Sequence, residues 1–388
     1  MARHLHCRPD RRRQQQRRGV AGVNWGARVL PVRVAGKCGA TVADLLDGLR
    51  WAAGLPVAGV PQNPTPARII SLSFGGDGPC SPAYQETIDA VTQAGALVLV
   101  AAGNADAPLT RPANCQRVLT VAAVRRDGSK ADYSSFGAGV ALAAPGGSNE
   151  AADRSSLLLS TSNSGLTRPQ PQDNYYRHDM GTSFAAPLAA GVASLMLSVN
   201  PALTPSQLVQ RLQAGTRPHT VQAHLPVCDR PGVGVCNCTA STCGAGLLDA
   251  KLALQQARAP AALIAPLAAA APGATLTLDG SQSQAIAGYS VQRFEWQQIE
   301  GPPAQIAAAD QASTTVRLGA VEGVHVFQLS VTDSAGRIGR ERVRVEVLAP
   351  PVPPPVAGGG GGGASGLLWV LGLWAWVLAL AWSMRQRR

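Results

Sequence analysis

Two kinds of segment alternate along the chain up to about residue 258. Short apolar runs predict buried strands, and stretches with apolar residues three or four positions apart predict helices. Strands are predicted at Ala27 to Val34, Arg68 to Phe74, Leu97 to Ala101 and Val118 to Val124, and helices at Thr41 to Ala53, Ala83 to Gln93, Ala189 to Val199 and Pro205 to Gly215. This alternation predicts an α/β fold with a parallel sheet covered by helices on both faces.

After residue 271 the pattern changes to strands alone. Apolar or alternating segments separated by Gly, Asp and Ser turns occur at 275–278, 291–297, 314–318, 324–332 and 343–347. Residues 259–271 are rich in Ala and Pro and are interpreted as a linker. The sequence therefore predicts a second, all-β domain at 272–349, with Trp296 in its core.

The heptapeptide Gly181-Thr182-Ser183-Phe184-Ala185-Ala186-Pro187 places a serine at the start of an apolar helical run. Unpaired backbone N–H groups and the positive end of the helix dipole meet at such a position, where an oxyanion can be stabilised beside a nucleophile. The heptapeptide resembles the nucleophile motif of subtilisin-like serine peptidases. The resemblance implies that the Ser183 hydroxyl attacks a peptide carbonyl.

Further segments between residues 19 and 258 are similar to the same family. Ala101-Ala102-Gly103-Asn104 resembles its oxyanion motif, which implies that the Asn104 amide donates to the developing negative charge. Ser71-Leu72-Ser73-Phe74-Gly75-Gly76 resembles the substrate-binding strand, to which an extended peptide would add by main-chain hydrogen bonds. Two further segments resemble loops of this family, namely Pro112-Ala113-Asn114-Cys115 and Ala144-Pro145-Gly146-Gly147. The resemblance implies that the first of them lines the specificity pocket. The resemblance assigns peptide binding to Ser73, Phe74, Gly75, Gly103 and Ala113.

No histidine base and no orienting aspartate can be assigned. The family places both before the serine, in an Asp-Thr-Gly-like strand end and a His-Gly-Thr-His-like helix start, and neither motif occurs in the sequence. His4 and His6 lie near the expected position but lack the Gly-Thr pair, and His178 is interpreted as a solvated loop residue. We therefore expect little or no peptidase activity from the chain as written.

The first eighteen residues, 1–18, differ from the rest of the chain. They contain seven arginines and one acidic residue, without helical or strand periodicity and without the apolar core of a signal peptide. A disordered basic arm is one interpretation, and we favour a shifted reading frame or misplaced start, with the true N-terminus missing. This segment carries +6 of the formal net charge of +11, and Arg385, Arg387 and Arg388 carry +3. The remaining +2 does not indicate a nucleic-acid partner.

The cysteine spacing favours an oxidising compartment. Cys228, Cys236, Cys238 and Cys243 crowd one loop, and their spacing fits no common zinc finger, so disulfides are favoured over zinc. A further candidate disulfide joins Cys80 and Cys115, near the substrate cleft that the family resemblance implies. The pairing within the loop and the partner of Cys38 stay open. The chemistry requires no cofactor, and a structural calcium ion stays open.

The all-β domain resembles a PKD-type immunoglobulin-like sandwich. The resemblance is carried by Leu278-Asp279-Gly280-Ser281, Phe294-Glu295-Trp296 and Leu329-Ser330-Val331-Thr332-Asp333. It implies that Trp296 packs in the core rather than binding a ligand. A spacer role and a binding role for this domain both stay open.

The C-terminal sequence predicts a membrane segment. A Pro/Gly linker at 350–366 overlaps an uncharged stretch, Ala364 to Met384, of 21 residues, and the basic residues of 385–388 come after it. At about 1.5 Å per residue, a helix at 367–384 with its flanks would cross a hydrocarbon core of about 30 Å. This combination resembles the GlyGly-CTERM sorting signal of Gram-negative bacteria, which implies processing by a rhomboid-type intramembrane peptidase. A simple membrane anchor is the alternative.

The sequence therefore predicts an exported serine endopeptidase of the Gram-negative cell envelope, anchored in the membrane or released after C-terminal processing. Its partners would be protein or peptide substrates. The alternative is a non-catalytic surface protein that uses a pseudo-peptidase fold for binding.

Overall fold

The computed structural model describes residues 20–36, 39–148, 156–165 and 168–348. The helices of this part are α1 (Val42–Ala52), α2 (Pro82–Gln93), α3 (Thr182–Val199), α4 (Pro205–Ala214), α5 (Ala240–Cys243) and α6 (Ala250–Ala257). Its first strands are β1 (Ile69–Leu72), β2 (Leu97–Ala101), β3 (Val118–Val124), β4 (Leu142–Pro145), β5 (Leu158–Asn163), β6 (Asn174–Asp179), β7 (Thr216–Arg217) and β8 (Leu247–Leu248). The later strands are β9 (Thr275–Asp279), β10 (Val291–Glu300), β11 (Gln305–Ile306), β12 (Ser313–Arg317), β13 (Gly323–Asp333) and β14 (Ile338–Val347).

A six-stranded sheet has the order β1-β2-β3-β4-β8-β7. Strands β1 to β4 and β8 are parallel, and β7 is antiparallel to β8. The predicted parallel sheet is confirmed, and β2 and β3 have the predicted bounds. Since parallel strands end at one edge of a sheet, the segments after β2 and β4 lie at the same edge.

Strand β2 contributes to the core on both faces of this sheet. Leu97 and Leu99 lie in the buried cluster that contains α3, whereas Val98 and Val100 lie in the cluster that contains α1 and α2. Successive side chains of a strand point to opposite faces, so a sheet covered on both sides requires an unbroken apolar run. The run at 97–101 is therefore a consequence of the position of β2 between two helical layers.

Helix α3 lies against β1, β2, β3 and β4 and is apolar along its length. Its buried face consists largely of alanine, at positions 185, 186, 189, 190 and 193. Small side chains allow the helix to pack close to the strands. By length and composition α3 could cross a membrane, but its contacts are those of a helix in the core of a domain.

The strand predicted at Ala27 to Val34 is not formed. Residues 27–34 have no ladder hydrogen bonds within the described part of the chain, and Val29 and Leu30 are exposed. An alternating pattern becomes a strand only where a neighbouring strand offers hydrogen bonds. Within the described residues, β1 pairs with β2 alone, so the sheet does not extend to this segment.

The segment just before residue 27 is held by α3 rather than by the sheet. Asn24 Nδ2 donates to Ser194 Oγ at 2.8 Å. Val23 lies over Gly191, where an added Cβ would come within 2.6 Å of the Val23 Cβ. Gly191 therefore provides the space in which Val23 crosses the helix.

The second domain contains two three-stranded sheets, with orders β10-β13-β14 and β11-β12-β9. All pairings within them are antiparallel. Trp296 is buried between the sheets, and its indole N–H donates to the Gln311 carbonyl at 3.1 Å. The predicted strands are confirmed with ends that differ by a few residues, and the core position of Trp296 is confirmed.

The Ala- and Pro-rich residues interpreted as a linker are packed at their start. Pro260, Ala261 and Ala262 are buried. Ala261 exchanges two backbone hydrogen bonds with Gln284, at 2.7 and 3.0 Å. Small side chains fit a narrow interface as well as a flexible connection, so the composition alone did not reveal this packing.

Arg211 of α4 holds these residues in place. Its guanidinium donates to the carbonyl oxygens of Ala259 at 2.7 Å and Pro260 at 2.6 Å, and to those of Gln256 and Ala257 at 3.4 Å. Arg211 is 8% exposed. Burial lowers the pKa of Arg211 to about 10, and the nearby carboxylate of Glu341 opposes this shift.

Glu341 of β14 connects the second domain to the first residues of α4. Its carboxylate accepts from Thr204 Oγ1 at 3.0 Å and from Ser206 Oγ at 3.3 Å. Thr204 is also the N-cap of α4, with a capping box to Gln207. Burial raises the pKa of Glu341, and the hydrogen bonds to its carboxylate offset this only in part.

Three disulfides occur in the described residues, joining Cys80 to Cys115, Cys228 to Cys236, and Cys238 to Cys243. The disulfide interpretation is confirmed, and the pairing left open by the sequence is settled for these six cysteines. The Sγ atoms of Cys228, Cys238 and Cys243 lie within 4.8 Å of one another. Each is bonded to another sulfur, so none offers a thiolate to zinc in this oxidised form.

Several sequence interpretations fall outside the described residues. These are the basic segment 1–18, Cys38, the C-terminal linker after residue 348, the membrane helix at 367–384 and the basic tail.

We predict that Arg211→Met lowers the free energy of unfolding by about 3 kcal/mol, because buried carbonyl groups lose their donors. Urea unfolding measures this change. Arg258→Met is the matched control, since Arg258 is exposed at the end of α6 and its replacement should cost less than about 0.5 kcal/mol. Equal losses in the two variants would contradict the role given to Arg211.

We also predict that the interface around Glu341 becomes less stable as the pH rises. A raised pKa means that the folded protein binds the Glu341 proton more tightly than the unfolded chain does. The contribution of Glu341 to the free energy of unfolding is therefore complete below the ordinary pKa of 4.5 and is lost as the pH rises through the raised pKa. Urea unfolding at pH 5 and pH 7.5 should show a smaller pH-dependent loss in Glu341→Gln than in the unchanged protein. An identical loss in both would show that Glu341 does not titrate in this way.

Candidate active site

Ser183 is the second residue of α3, at the sheet edge where β2 and β4 end. Gly181 precedes the helix with φ +142°, a conformation that side-chain-bearing residues rarely adopt. The N–H groups of the first helical turn have no partner within the helix. Ser183 thus lies in the first turn of a helix, as predicted from the heptapeptide.

Asn104 is connected directly to the residue before Ser183. Its Oδ1 accepts from the Thr182 N–H at 2.9 Å and from Thr182 Oγ1 at 2.8 Å. Since a backbone N–H can only donate, these bonds identify Oδ1 as the acceptor and leave Nδ2 on the other side of the amide. Thr182 Oγ1 also accepts from the Gly103 N–H at 3.2 Å. The structure therefore brings Asn104 and Ser183 together and fixes the orientation of the Asn104 amide.

Tyr133 braces the other side of Gly181. Its hydroxyl accepts from the Gly181 N–H at 3.0 Å and lies 2.8 and 2.7 Å from the carbonyl oxygens of Gly146 and Gly147. The Gly181 N–H also donates to the Gly146 carbonyl at 2.8 Å. Burial raises the pKa of Tyr133, so its hydroxyl keeps its proton at neutral pH. Gly146 and Gly147, which follow β4, are thereby attached to Gly181, the residue before the helix that carries Ser183.

The segment resembling a substrate-binding strand leaves the sheet beside Ser183. Strand β1 ends at Leu72, and Ser73 Oγ then donates to the Ser183 carbonyl at 3.2 Å. The Gly76 N–H donates to the Arg111 carbonyl at 3.0 Å. The strand, Ile69–Leu72, is shorter than the predicted Arg68 to Phe74.

Ala113 and Gly103 are the other two residues to which the resemblance assigns peptide binding. Ala113 is buried, and its carbonyl accepts from Thr120 Oγ1 at 2.7 Å. A Cβ on Gly103 would lie 3.2 Å from Ser135 Oγ, a close approach that favours glycine at its φ of +109°. Phe74 packs against the buried cluster of α1 and α2. Phe74 is thus partly buried in the core.

Within the described residues, no histidine forms a hydrogen bond with Ser183. His178 lies in β6 and is exposed, so its assignment to a loop is wrong although its solvation is confirmed. His219 Nε2 lies 2.9 Å from the Gly244 carbonyl, and His325 is buried in the second domain. His4 and His6 are not among the described residues. The arrangement can therefore supply a nucleophile and oxyanion donors, and no base is found in the part that the structure describes.

Sequence reasoning missed two residues that shape this site. Thr182 was part of the heptapeptide without a role, and Tyr133 lies in a polar stretch with no periodic pattern. The hydroxyls of both act through partners that are distant in sequence, namely Asn104 and Gly181. A single chain offers no local signal for such contacts.

Comparisons with known proteins agree with this geometry. A model of the subtilase family matches residues 12–226, and a model of a PKD domain family matches residues 265–347. An extracellular protease of Xanthomonas campestris pv. campestris is 42% identical over 242 residues, covering 62% of this chain and 37% of that protein. An extracellular basic protease of Dichelobacter nodosus is 44% identical over 196 residues, covering 49% and 31%. This chain thus spans less than two fifths of the length of these relatives.

A solved protease structure from Pseudoalteromonas arctica PAMC 21717 is 40% identical to this chain. It aligns with a TM-score of 0.54 over 62% of this chain and 66% of that one. The subtilase match covers more than half of this chain and includes Asn104 and Ser183. This chain therefore belongs to the subtilase family of serine peptidases.

Proposed function

We propose that the function of this protein is that of an exported serine endopeptidase, the hydrolysis of peptide bonds in proteins, and that the chain as written performs it with little or no activity. The observation that carries the proposal is the pair of hydrogen bonds from Thr182 to Asn104 Oδ1. They point the Asn104 amino group away from Thr182 while the Ser183 N–H lies at the helix N-terminus. Asn104 Nδ2 and the Ser183 nitrogen lie 3.4 and 3.7 Å from one point, the position of a Cβ built on Gly181. Two donors from different elements beside one serine support acyl transfer, which requires donors for an oxyanion.

In this proposal each residue has a defined role. The Ser183 Oγ attacks the carbonyl carbon of the peptide bond, and the Asn104 side-chain amide and the Ser183 N–H stabilise the oxyanion. Ser73, Phe74, Gly75, Gly103 and Ala113 form the groove that holds the extended peptide. A histidine must accept the serine proton and an aspartate must orient it, and the sequence supplies no motif for either. The reaction needs no cofactor.

The compartment is inferred from the relatives and the disulfides. Both relatives named above are called extracellular, and disulfides persist in oxidising environments. We propose further that the C-terminal sequence places the protein at the cell envelope until a rhomboid-type peptidase processes it. The pattern of glycines, apolar residues and arginines in the sequence supports this step.

A second candidate function is peptide binding without catalysis. The missing histidine and aspartate motifs favour it, because a groove and an oxyanion site can bind a peptide without cleaving it. The two candidates differ in one measurable property, which is turnover that depends on Ser183.

We predict that the chain as written hydrolyses a fluorogenic peptide no faster than its Ser183→Ala variant. The reason is that, among the residues the structure describes, no histidine is hydrogen-bonded to Ser183 to accept its proton. The same chain, extended by upstream-encoded residues that contain Asp-Thr-Gly and His-Gly-Thr motifs, should turn the peptide over and lose this activity with Ser183→Ala. Turnover by the chain as written that disappears in Ser183→Ala would refute the first expectation. Inactivity of the extended form would refute the peptidase proposal in favour of binding.

In the active form, Thr182→Val should lower kcat by about fivefold with little change in KM. The substitution removes one hydrogen bond that orients Asn104, and such a bond contributes on the order of 1 kcal/mol. Steady-state kinetics measures both constants. Thr92→Val is the matched control, since Thr92 Oγ1 is buried without a hydrogen-bond partner among the described residues. If both variants lose activity equally, the Thr182 hydroxyl does not position the Asn104 amide.

A further inference from the structure

Lys130 is a fully buried cation that the proposed peptide chemistry does not use. Its exposed fraction is 0%, whereas lysine is almost never buried unless it is paired. The side chain ends between two segments of the active-site region. One is the oxyanion loop, residues 103–107, and the other is the brace turn, residues 131–135.

Four oxygen atoms surround the Lys130 ammonium. Asp106 Oδ1 lies 2.7 Å from Nζ, and the carbonyl oxygens of Ala131 and Ser134 each lie 3.0 Å away. The Asp132 carbonyl is at 3.4 Å, and the ring of Phe136 has its centroid 5.0 Å from Nζ. One carboxylate and several carbonyls around a single point form a ligand set typical of a hard metal cation.

The brace turn and the oxyanion loop are bonded to each other next to this ammonium. The Asp106 N–H donates to the Tyr133 carbonyl at 2.9 Å, and the Ser135 N–H donates to the Gly103 carbonyl at 2.9 Å. These bonds enclose Asn104 on both sides along the chain. Tyr133 also contacts Gly181 through its hydroxyl. The position of the brace turn therefore affects both the oxyanion residue and the turn before the nucleophile.

Asp106 and Lys130 are also hydrogen-bonded to the loop at 228–243, which contains two of the disulfides. Its Oδ2 accepts from the Gly234 N–H at 2.7 Å, and the Lys130 N–H donates to the Cys236 carbonyl at 3.0 Å. Asp106 has φ +49°, a left-handed conformation that is uncommon outside glycine. Burial lowers the pKa of Lys130, and the hydrogen bond and charge of Asp106 oppose this shift. The charge balance at this point thus depends on Asp106.

We propose that Lys130 is a built-in cation that positions the oxyanion loop, its ammonium standing in a cage that would otherwise bind a free metal ion or a small amine. Lys130 is a positioning residue, because it reaches Asn104 only through Asp106 and the brace turn. A tethered ammonium cannot dissociate, so this part of the site is independent of dissolved cations and chelators. The proposal rests on the function proposed for Asn104, but its test requires no peptide hydrolysis.

The first experiment uses Lys130→Ala in the full chain. The variant should have a lower Tm that rises in a saturable manner with potassium, sodium or methylammonium chloride, compared with choline chloride at the same ionic strength. Lys251→Ala, which removes an exposed lysine of α6, is the matched control. The control and the unchanged protein should show no cation-specific change. Absence of a cation-specific rise in Lys130→Ala, or an equal rise in the control, would overturn the cage.

A second variant covers the case in which Lys130→Ala does not fold. Lys130→Met with Asp106→Asn removes both charges while nearly keeping the volume, and replacing a buried ion pair in this way is often tolerated. Hydrogen exchange of the Thr182 amide, which donates to Asn104 Oδ1, reports on the oxyanion residue. We expect exchange about tenfold faster at Thr182 than in the unchanged protein, with protection in β2 and β3 retained. Unchanged exchange at Thr182 would overturn the positioning role, whatever the peptidase activity of the protein.

Discussion

The burial of α3 is the constraint on which the rest of the first domain depends. Its alanine face lies against β1 to β4, and this packing fixes where the first turn of the helix lies. Because the sheet is parallel, the segments after β2 and β4 come to the same place. Asn104 and Gly146 then reach the residues around Ser183 by hydrogen bonds of ordinary length. The site is thus a consequence of packing between a helix and a sheet.

The periodic parts of the fold could be predicted from the sequence because the burial of each face of a strand or helix determines which of its positions are apolar. The unbroken apolar run of β2 indicates a sheet that is covered on both faces. The alternation in β13 indicates a sheet with one face packed on the core. The segment 27–34 shows the limit, since an alternating pattern does not state whether a neighbouring strand exists. Ser183 and Asn104 could be singled out as the candidate nucleophile and oxyanion residue because each lies in a short contiguous motif. Thr182, Tyr133 and Lys130 act through partners far away in the chain, which no local pattern reveals.

The two domains share a boundary made of polar groups rather than a free connection. The Arg211 guanidinium donates to carbonyl oxygens of the residues between the domains. The Glu341 carboxylate accepts hydrogen bonds from hydroxyl groups at the start of α4. Groups of this kind are costly to leave unpaired when buried, so the second domain has a preferred orientation on α4. The immunoglobulin-like domain is therefore placed by the chemistry of one helix.

The contact of Val23 and Asn24 with α3 has a consequence for the order in which the chain can fold. Asn24 and Ser194 are 170 residues apart in sequence, and a cell synthesises about 5–20 residues per second. Residues 20–26 consequently leave the ribosome many seconds before the helix that receives them exists. Until then Val23 cannot pack on α3, and this segment depends on other proteins or on its own solubility to avoid aggregation.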